Sequence, residues 1–155
     1  MAIVGSLPIT LTNGTVADAL QVMQNLNFII TSVNNSAAGL GQVNLFTAGQ
    51  SVTPIALVDG ATISTNAALG NNFFVTLAGN RTLSNTINLA NGQIVNWRIT
   101  QDGTGSRTLS YGGIFKWPSG SAPVLTTAAG AVDFIVGQYW SDTNVLLCNY
   151  LKGFA

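Results

Sequence analysis

Apolar and polar positions follow three different patterns along the chain, and the first is an apolar arm. Residues 1–14, MAIVGSLPITLTNG, are interrupted by Gly5, Pro8 and Gly14, which exclude a long helix and favour an extended arm. The apolar side chains of this arm need another surface to cover them. They are Ile3, Val4, Leu7, Pro8, Ile9 and Leu11.

A helical pattern begins at Thr15. The sequence Thr15-Val16-Ala17-Asp18 nearly matches a capping box, with Asp in place of the usual Glu. Over residues 16–33 apolar residues then recur at alternating spacings of three and four, the period of one face of a helix. This apolar stripe consists of Ala19, Val22, Leu26, Ile29 and Val33. The opposite face is polar but uncharged and consists of Gln21, Gln24, Asn25, Asn27 and Ser32.

Two interpretations of this helix are open at the level of sequence. Either it is an amphipathic helix packed on the chain's own β domain, or it belongs to a short parallel bundle shared by several chains. We favour the bundle, because the polar face carries no charge and the helix precedes the β segment. The stripe alone does not choose between two strands and three.

From about residue 52, short apolar or β-branched runs alternate with turn signals. The clearest runs are 73–77, 94–100, 107–111, 132–140 and 145–150. In the run 94–100, Val95, Trp97 and Ile99 share one face, which is typical of a half-buried strand, and Trp97 is expected in the core. This spacing predicts an antiparallel sandwich or barrel, with residues 101–107 as a hairpin loop.

The combined pattern predicts a mainly β chain with one N-terminal helix. Its parts are an extended arm (1–14), a helical stalk (15–38), a linker (39–51) and a β-rich head (52–155).

Composition favours a protein that is held in an assembly. Hydrophobic residues make up 47% of the chain and charged residues only 6%, against about 25% charged residues in ordinary soluble domains. A formal net charge of zero gives little protection from self-association. The scattered cations argue against nucleic acid as a partner, and apolar runs shorter than about 20 residues argue against a membrane span. The N-terminus also lacks the pattern of a signal peptide.

The chemistry needed for catalysis is sparse. The chain has no histidine, which removes the common catalytic triads and the commonest metal ligand. All five acids are aspartates set in or beside predicted turns, where Asp binds its own backbone. The pair Asp102 and Asp133 is therefore expected to shape turns and not to act as glycosidase carboxylates. We expect no enzymatic activity, no metal and no cofactor, and we expect Cys148 to be a small buried hydrophobe.

Aromatic residues leave a binding function open. Tyr111 and Trp117, with Lys116 between them in sequence, are candidates for contact with a glycan or a partner protein.

Two segments resemble known phage modules. Residues 7–38, LPITLTNGTVADALQVMQNLNFIITSVNNSAA, resemble an N-terminal module found in many phage virion proteins. A later part of the chain is similar to a β module of phage tail fibres and other virion appendages. The similar stretches are Val58-Asp59-Gly60, Asn80-Arg81-Thr82-Leu83, Gln101 to Gly105, Phe115-Lys116-Trp117-Pro118 and Ala131-Val132-Asp133. The resemblance implies a trimeric component of a virion, assembled in the cytoplasm of the bacterial host.

The resemblance leaves two positions on the particle. The head follows the stalk almost at once, so we favour a capsid decoration or head-fibre protein whose arm lies on the major capsid protein. The alternative is a short tail fibre or tail-tip protein that contacts tail proteins and binds a host-surface glycan through its β head.

Overall fold

The computed structural model describes residues 19–36, 49 and 51–154, with the side chains of 32–36 excepted. The chain divides into two units, Met1–Gln50 and Ser51–Ala155. The predicted arm and the predicted capping box lie outside the described residues, as does the predicted linker apart from positions 49 and 51.

The first unit contains helix α1, Ala19–Ser36. All five positions of the predicted apolar stripe fall within it, and it extends beyond the predicted end at residue 33. Within the described part of the chain, no helix is long and apolar enough to cross a membrane.

The second unit is built of short strands, which confirms the prediction of a mainly β chain with one helix for the described residues. In chain order they are β1 (Ile55–Ala56), β2 (Thr62–Ile63), β3 (Asn72–Leu77), β4 (Arg81–Leu83), β5 (Ile94–Gln101), β6 (Leu109–Tyr111), β7 (Phe115–Lys116), β8 (Val132–Trp140) and β9 (Val145–Phe154). Single turns of 3₁₀ helix occur at Ala67–Leu69 and Pro118–Gly120.

The first six strands alternate between two sheets. Strands β1, β3 and β5 pair in parallel in a six-stranded sheet of order β1-β3-β5-β8-β9-β7. Strands β2, β4 and β6 pair in parallel in a three-stranded sheet. The chain therefore winds in three successive coils, each adding one strand to each sheet on top of the coil before.

The coils stack equivalent side chains above one another. In the six-stranded sheet Phe73 lies between Ile55 and Trp97, and in the three-stranded sheet Leu83 lies between Ile63 and Tyr111. Buried apolar residues from both sheets form one core, in which Trp97 is fully buried as predicted. Its indole Nε1 donates to the buried Thr65 Oγ1 at 3.0 Å, so the one polar atom of this large side chain has a partner.

Strands β8 and β9 complete the larger sheet. Strand β8 pairs antiparallel with β5 and with β9, and β7 pairs in parallel with β9 at the edge. The turn at 142–144 joins β8 to β9 as a hairpin, because these two consecutive strands pair with each other.

The prediction of an antiparallel head was wrong for most strand pairs, since five of the seven pairs between described strands are parallel. Residues 101–107, predicted as a hairpin loop, are a corner that connects β5 of one sheet to β6 of the other. A turn-rich sequence specifies where a strand ends but not which strand lies beside it.

Candidate functional site

Helix α1 exposes large apolar side chains. Leu26 is 47% exposed, Ile30 55% and Met23 52%, and Val22 and Leu20 are also exposed. Spacings of four residues place Val22, Leu26 and Ile30 one above another on one side of the helix. This exposed stripe, with Ala19 at its start, matches most of the predicted stalk face.

The buried side of the helix is different from the one predicted. Asn25, predicted on the polar face, is 5% exposed, and Phe28 and Ile29 beside it are half-buried. Ile29, a predicted stalk residue, thus lies at the border between the covered and the exposed sides. Val33 lies in the helix, but its side chain is outside the described residues.

The outer face of the six-stranded sheet is a second apolar surface. Ile94, Leu147, Leu151 and Phe154 are each about half exposed, between 49% and 60%. Alternation along β5 and β9 places Ile94, Leu147 and Leu151 opposite the core residues, and a bulge between Leu151 and Phe154 brings Phe154 to the same face, where it pairs with Val132. Half-buried Phe134 lies in the same face and pairs in register with Leu151.

The structure brings Tyr111 and Trp117 into contact, which the sequence did not predict. Their ring centroids are 4.7 Å apart in an edge-on arrangement, and both rings pack on Phe115. Both are half-buried against the core, whereas Lys116 is exposed and donates through Nζ to the Gly113 carbonyl at 2.8 Å. Two of the three predicted contact residues, Tyr111 and Trp117, therefore form one cluster, whereas Lys116 alternates with buried Phe115 and is exposed.

Two polar atoms in this aromatic cluster are buried without a partner among the described residues: Tyr111 Oη and Trp117 Nε1. Burial raises the pKa of Tyr111 above its usual range, because desolvation penalises the phenolate. The hydroxyl therefore stays protonated and can only act as a neutral hydrogen-bonding group.

The aspartates of the head hold loops in place. Asp102 accepts hydrogen bonds from the backbone of Thr104 and Gly105 and forms an ion pair with Arg107 at 2.8 Å. These contacts, led by the Arg107 hydrogen bond, lower the pKa of Asp102 to about 2. Asp59 likewise forms an ion pair with Arg81 at 2.7 Å, which lowers its pKa.

Asp133 is the buried carboxylate of the head, and it lies in strand β8 and not in a turn. It is 4% exposed and accepts three hydrogen bonds, from the Thr126 amide and hydroxyl and from the Gly153 amide. Asp133 therefore ties the segment before β8 to the end of β9. Its partners are backbone and hydroxyl groups, which explains a buried carboxylate without any catalytic role.

Cys148 is buried, as predicted, and burial raises its pKa to about 12. A thiol with so high a pKa is a poor nucleophile at neutral pH. Over the described residues, no group of three or more Cys, Asp, Glu or His side chains lies close enough to hold a metal ion.

The predicted site residues fall into separate groups. The arm residues 3–11 lie outside the described residues, the stalk residues lie on α1, and Tyr111, Lys116 and Trp117 lie on β6, β7 and the residue that follows. Sequence reasoning missed the outer face of the six-stranded sheet. Alternation in β5 already separated Arg98 from the core, but its neighbours on β3 and β8 were not predictable.

No protein-family model, no curated protein and no solved structure matches this chain. The interpretation of function therefore depends on the surfaces described above.

Proposed function

We propose that the protein is a non-enzymatic structural subunit of a bacteriophage particle. In this proposal it is a homotrimeric capsid decoration protein, with a two-sheet β head carried on a trimeric stalk of α1 helices. The arm, through Ile3, Val4, Leu7, Pro8, Ile9 and Leu11, binds the major capsid protein.

The observation that carries the proposal is the exposed stripe of α1. Five large apolar side chains on one helix remain between 37% and 62% exposed in the single chain. Most of the stability of an amphipathic helix in a protein comes from packing of its apolar face, so α1 needs an apolar partner surface. Three parallel copies would supply that surface to each other, since apolar side chains that recur about once per turn on one side suit a helical bundle.

The low charge of the chain supports the same proposal. With 6% charged residues and no net charge, separate copies in solution repel each other weakly. Pairing of Arg81 and Arg107 with aspartates further reduces the charge available for long-range attraction. Association would therefore depend mainly on apolar burial.

A decoration protein of this kind would stabilise the shell by mass action. A ligand that binds the assembled shell and not its free subunits shifts the equilibrium against disassembly. Three arms on one trimer raise the effective concentration of each other, so that a weak contact per arm is sufficient.

The test is the number of copies of this protein relative to the major capsid protein in purified particles, measured by quantitative mass spectrometry. We expect many copies in a fixed ratio to the capsid protein. A few copies per particle would overturn the shell position and favour a short tail fibre or tail-tip protein.

A double variant tests the arm separately from the stalk. The double variant Leu7→Asn, Ile9→Asn should remain a trimer in solution but fail to co-sediment with undecorated shells. Unchanged co-sedimentation of this variant would contradict the role given to the arm.

A further inference from the structure

A cleft opens on the outer face of the six-stranded sheet, outside the stalk and the aromatic cluster. Its volume is about 320 Å³, at the lower end of the roughly 300–1,000 Å³ of small-molecule sites. It is lined by Pro54, Asn72, Phe74, Asn96, Arg98 and Phe134.

Strand register places an arginine between two aromatic rings in this cleft. Arg98 on β5 pairs with Phe74 on β3 and with Phe134 on β8, so the three side chains form a row across adjacent strands. The Arg98 guanidinium carbon lies 5.0 Å from the centroid of the Phe74 ring. This cation–π contact orients the guanidinium group while leaving the residue exposed.

Arg98 differs from the other two arginines of the head. Arg81 and Arg107 are bound by Asp59 and Asp102 at 2.7 and 2.8 Å. No carboxylate lies within ion-pair distance of Arg98 in residues 51–154. Its five N–H donors are therefore available to an anionic ligand, in a geometry that suits the two oxygens of a carboxylate.

Two side-chain amides supply neutral polar groups beside this charge. Asn96 Nδ2 donates to Asn72 Oδ1 at 2.8 Å, across the pair β3 and β5. This bond fixes both amides and leaves Asn72 Nδ2 as a donor and Asn96 Oδ1 as an acceptor, neither with a side-chain or backbone partner in the described part of the chain. A donor and an acceptor side by side match the hydroxyl groups of a sugar.

We propose that this cleft binds a sugar that carries a carboxylate, such as a hexuronic acid or a sialic acid unit. The carboxylate pairs with the Arg98 guanidinium, and ring hydroxyls bind the Asn72 and Asn96 amides. The apolar face of the sugar ring packs on Phe74 and Phe134. The site rests neither on the trimer nor on the capsid contact.

The experiment is a titration of the full chain with each sugar, in which ligand-observed NMR measures binding. The probes are D-glucuronate, D-galacturonate and N-acetylneuraminate, with D-glucose and acetate as controls. We expect saturable binding of at least one acid sugar, and the strongest of the three identifies the class. Glucose lacks the carboxylate and acetate lacks the ring, so each should bind about tenfold or more weakly.

Variants locate the site. Arg98→Gln should weaken the acid sugar about tenfold or more, because a charge-assisted bidentate bond is lost. Arg98→Lys should recover only part of the affinity, since an ammonium group does not bind a carboxylate through two parallel bonds. Lys152→Gln is the matched control, because it removes an exposed cation that binds the Val124 carbonyl and does not line the cleft. Its affinity should equal that of the unmodified chain.

Three outcomes overturn the proposal: no saturable binding of any acid sugar, equal binding of glucose, or loss of binding with Lys152→Gln and not with Arg98→Gln. Thermal unfolding of each variant checks that the fold is retained. Sedimentation of the same samples distinguishes this proposal from the proposed function. If the unmodified chain is a trimer but binds no acid sugar, the cleft proposal is refuted and the stalk is not. If the unmodified chain binds an acid sugar as a monomer, the stalk is refuted and the cleft is not.

Discussion

Leu26 gives the sharpest test of the proposed stalk. It lies at the centre of the exposed stripe of α1, with Val22 and Ile30 about one turn away on either side, and it is 47% exposed in the single chain. In a parallel bundle, Leu26 of each copy would face the same residue of the other two. The change Leu26→Ala keeps a good helix former and removes only apolar contact.

The magnitude follows from the exposed surface. Full burial of a leucine is worth about 1.5–3 kcal/mol, and about half of Leu26 remains to be covered. With the cavity left between the helices, Leu26→Ala should weaken the free energy of trimer association by about 1.5 kcal/mol per chain, or about 4.5 kcal/mol per trimer. This raises the trimer dissociation constant about 2,000-fold. Because that constant scales with the square of concentration, the midpoint of assembly should rise about 45-fold.

The assay is sedimentation equilibrium of the full chain over a concentration series. Gln24→Ala is the control, since Gln24 is exposed on the opposite side of the helix and the substituted residue is the same. We expect the midpoint to move for Leu26→Ala and to remain in place for Gln24→Ala. Equal shifts for the two variants, or an unmodified chain that is monomeric at every concentration, would refute the stalk.

Three further predictions concern the head. Gly105→Ala should lower the free energy of unfolding by at least about 2 kcal/mol, because Gly105 has φ +73° and a Cβ there would overlap the Thr127 carbonyl oxygen; chemical denaturation should show almost no change for Gly103→Ala, where a Cβ meets nothing within 4 Å. Asp133→Asn should cost about 1–3 kcal/mol in the same assay, since an amide nitrogen would face donors that now bind a carboxylate, and an unchanged midpoint would contradict this. The lowered pKa of Asp102 means that its contribution is complete above the unfolded value of about 3.9 and is lost as the pH falls towards about 2; the difference in thermal midpoint between the unmodified chain and Asp102→Asn should therefore shrink over that interval, and a constant difference would exclude the ionised form as its cause.

Local sequence pattern predicted the position of most long elements. Strand β8 was predicted at 132–140 and lies at Val132–Trp140, and the alternation that placed Val95, Trp97 and Ile99 on one face corresponds to three buried side chains. Burial of every second residue is a property of the strand itself, so it can be found without knowing the neighbours. The helix was predictable for the same reason, since its apolar spacing is local.

The candidate site was less predictable. The exposed stripe of α1 followed from the sequence, but the burial of Asn25 did not, since an uncharged polar residue carries no signal of what covers it. The cleft at Arg98 required strand register, because Phe74 and Phe134 come from strands that are far apart along the chain.

The sequence by itself thus determined the positions of the helix and of the longer strands, and the side of β5 that faces inward. Only the tertiary structure decided that the turns at 79–80 and 101–107 carry the chain from one sheet to the other and that β1, β3 and β5 stack in parallel. The physical reason is that the alternation of apolar and polar side chains reflects the surroundings of a strand's two faces. The two edges of a strand pair through backbone N–H and C=O groups, which nearly every residue has. Pairing direction and register depend on those edges. The row of Phe74, Arg98 and Phe134 that forms the cleft depends on the same register.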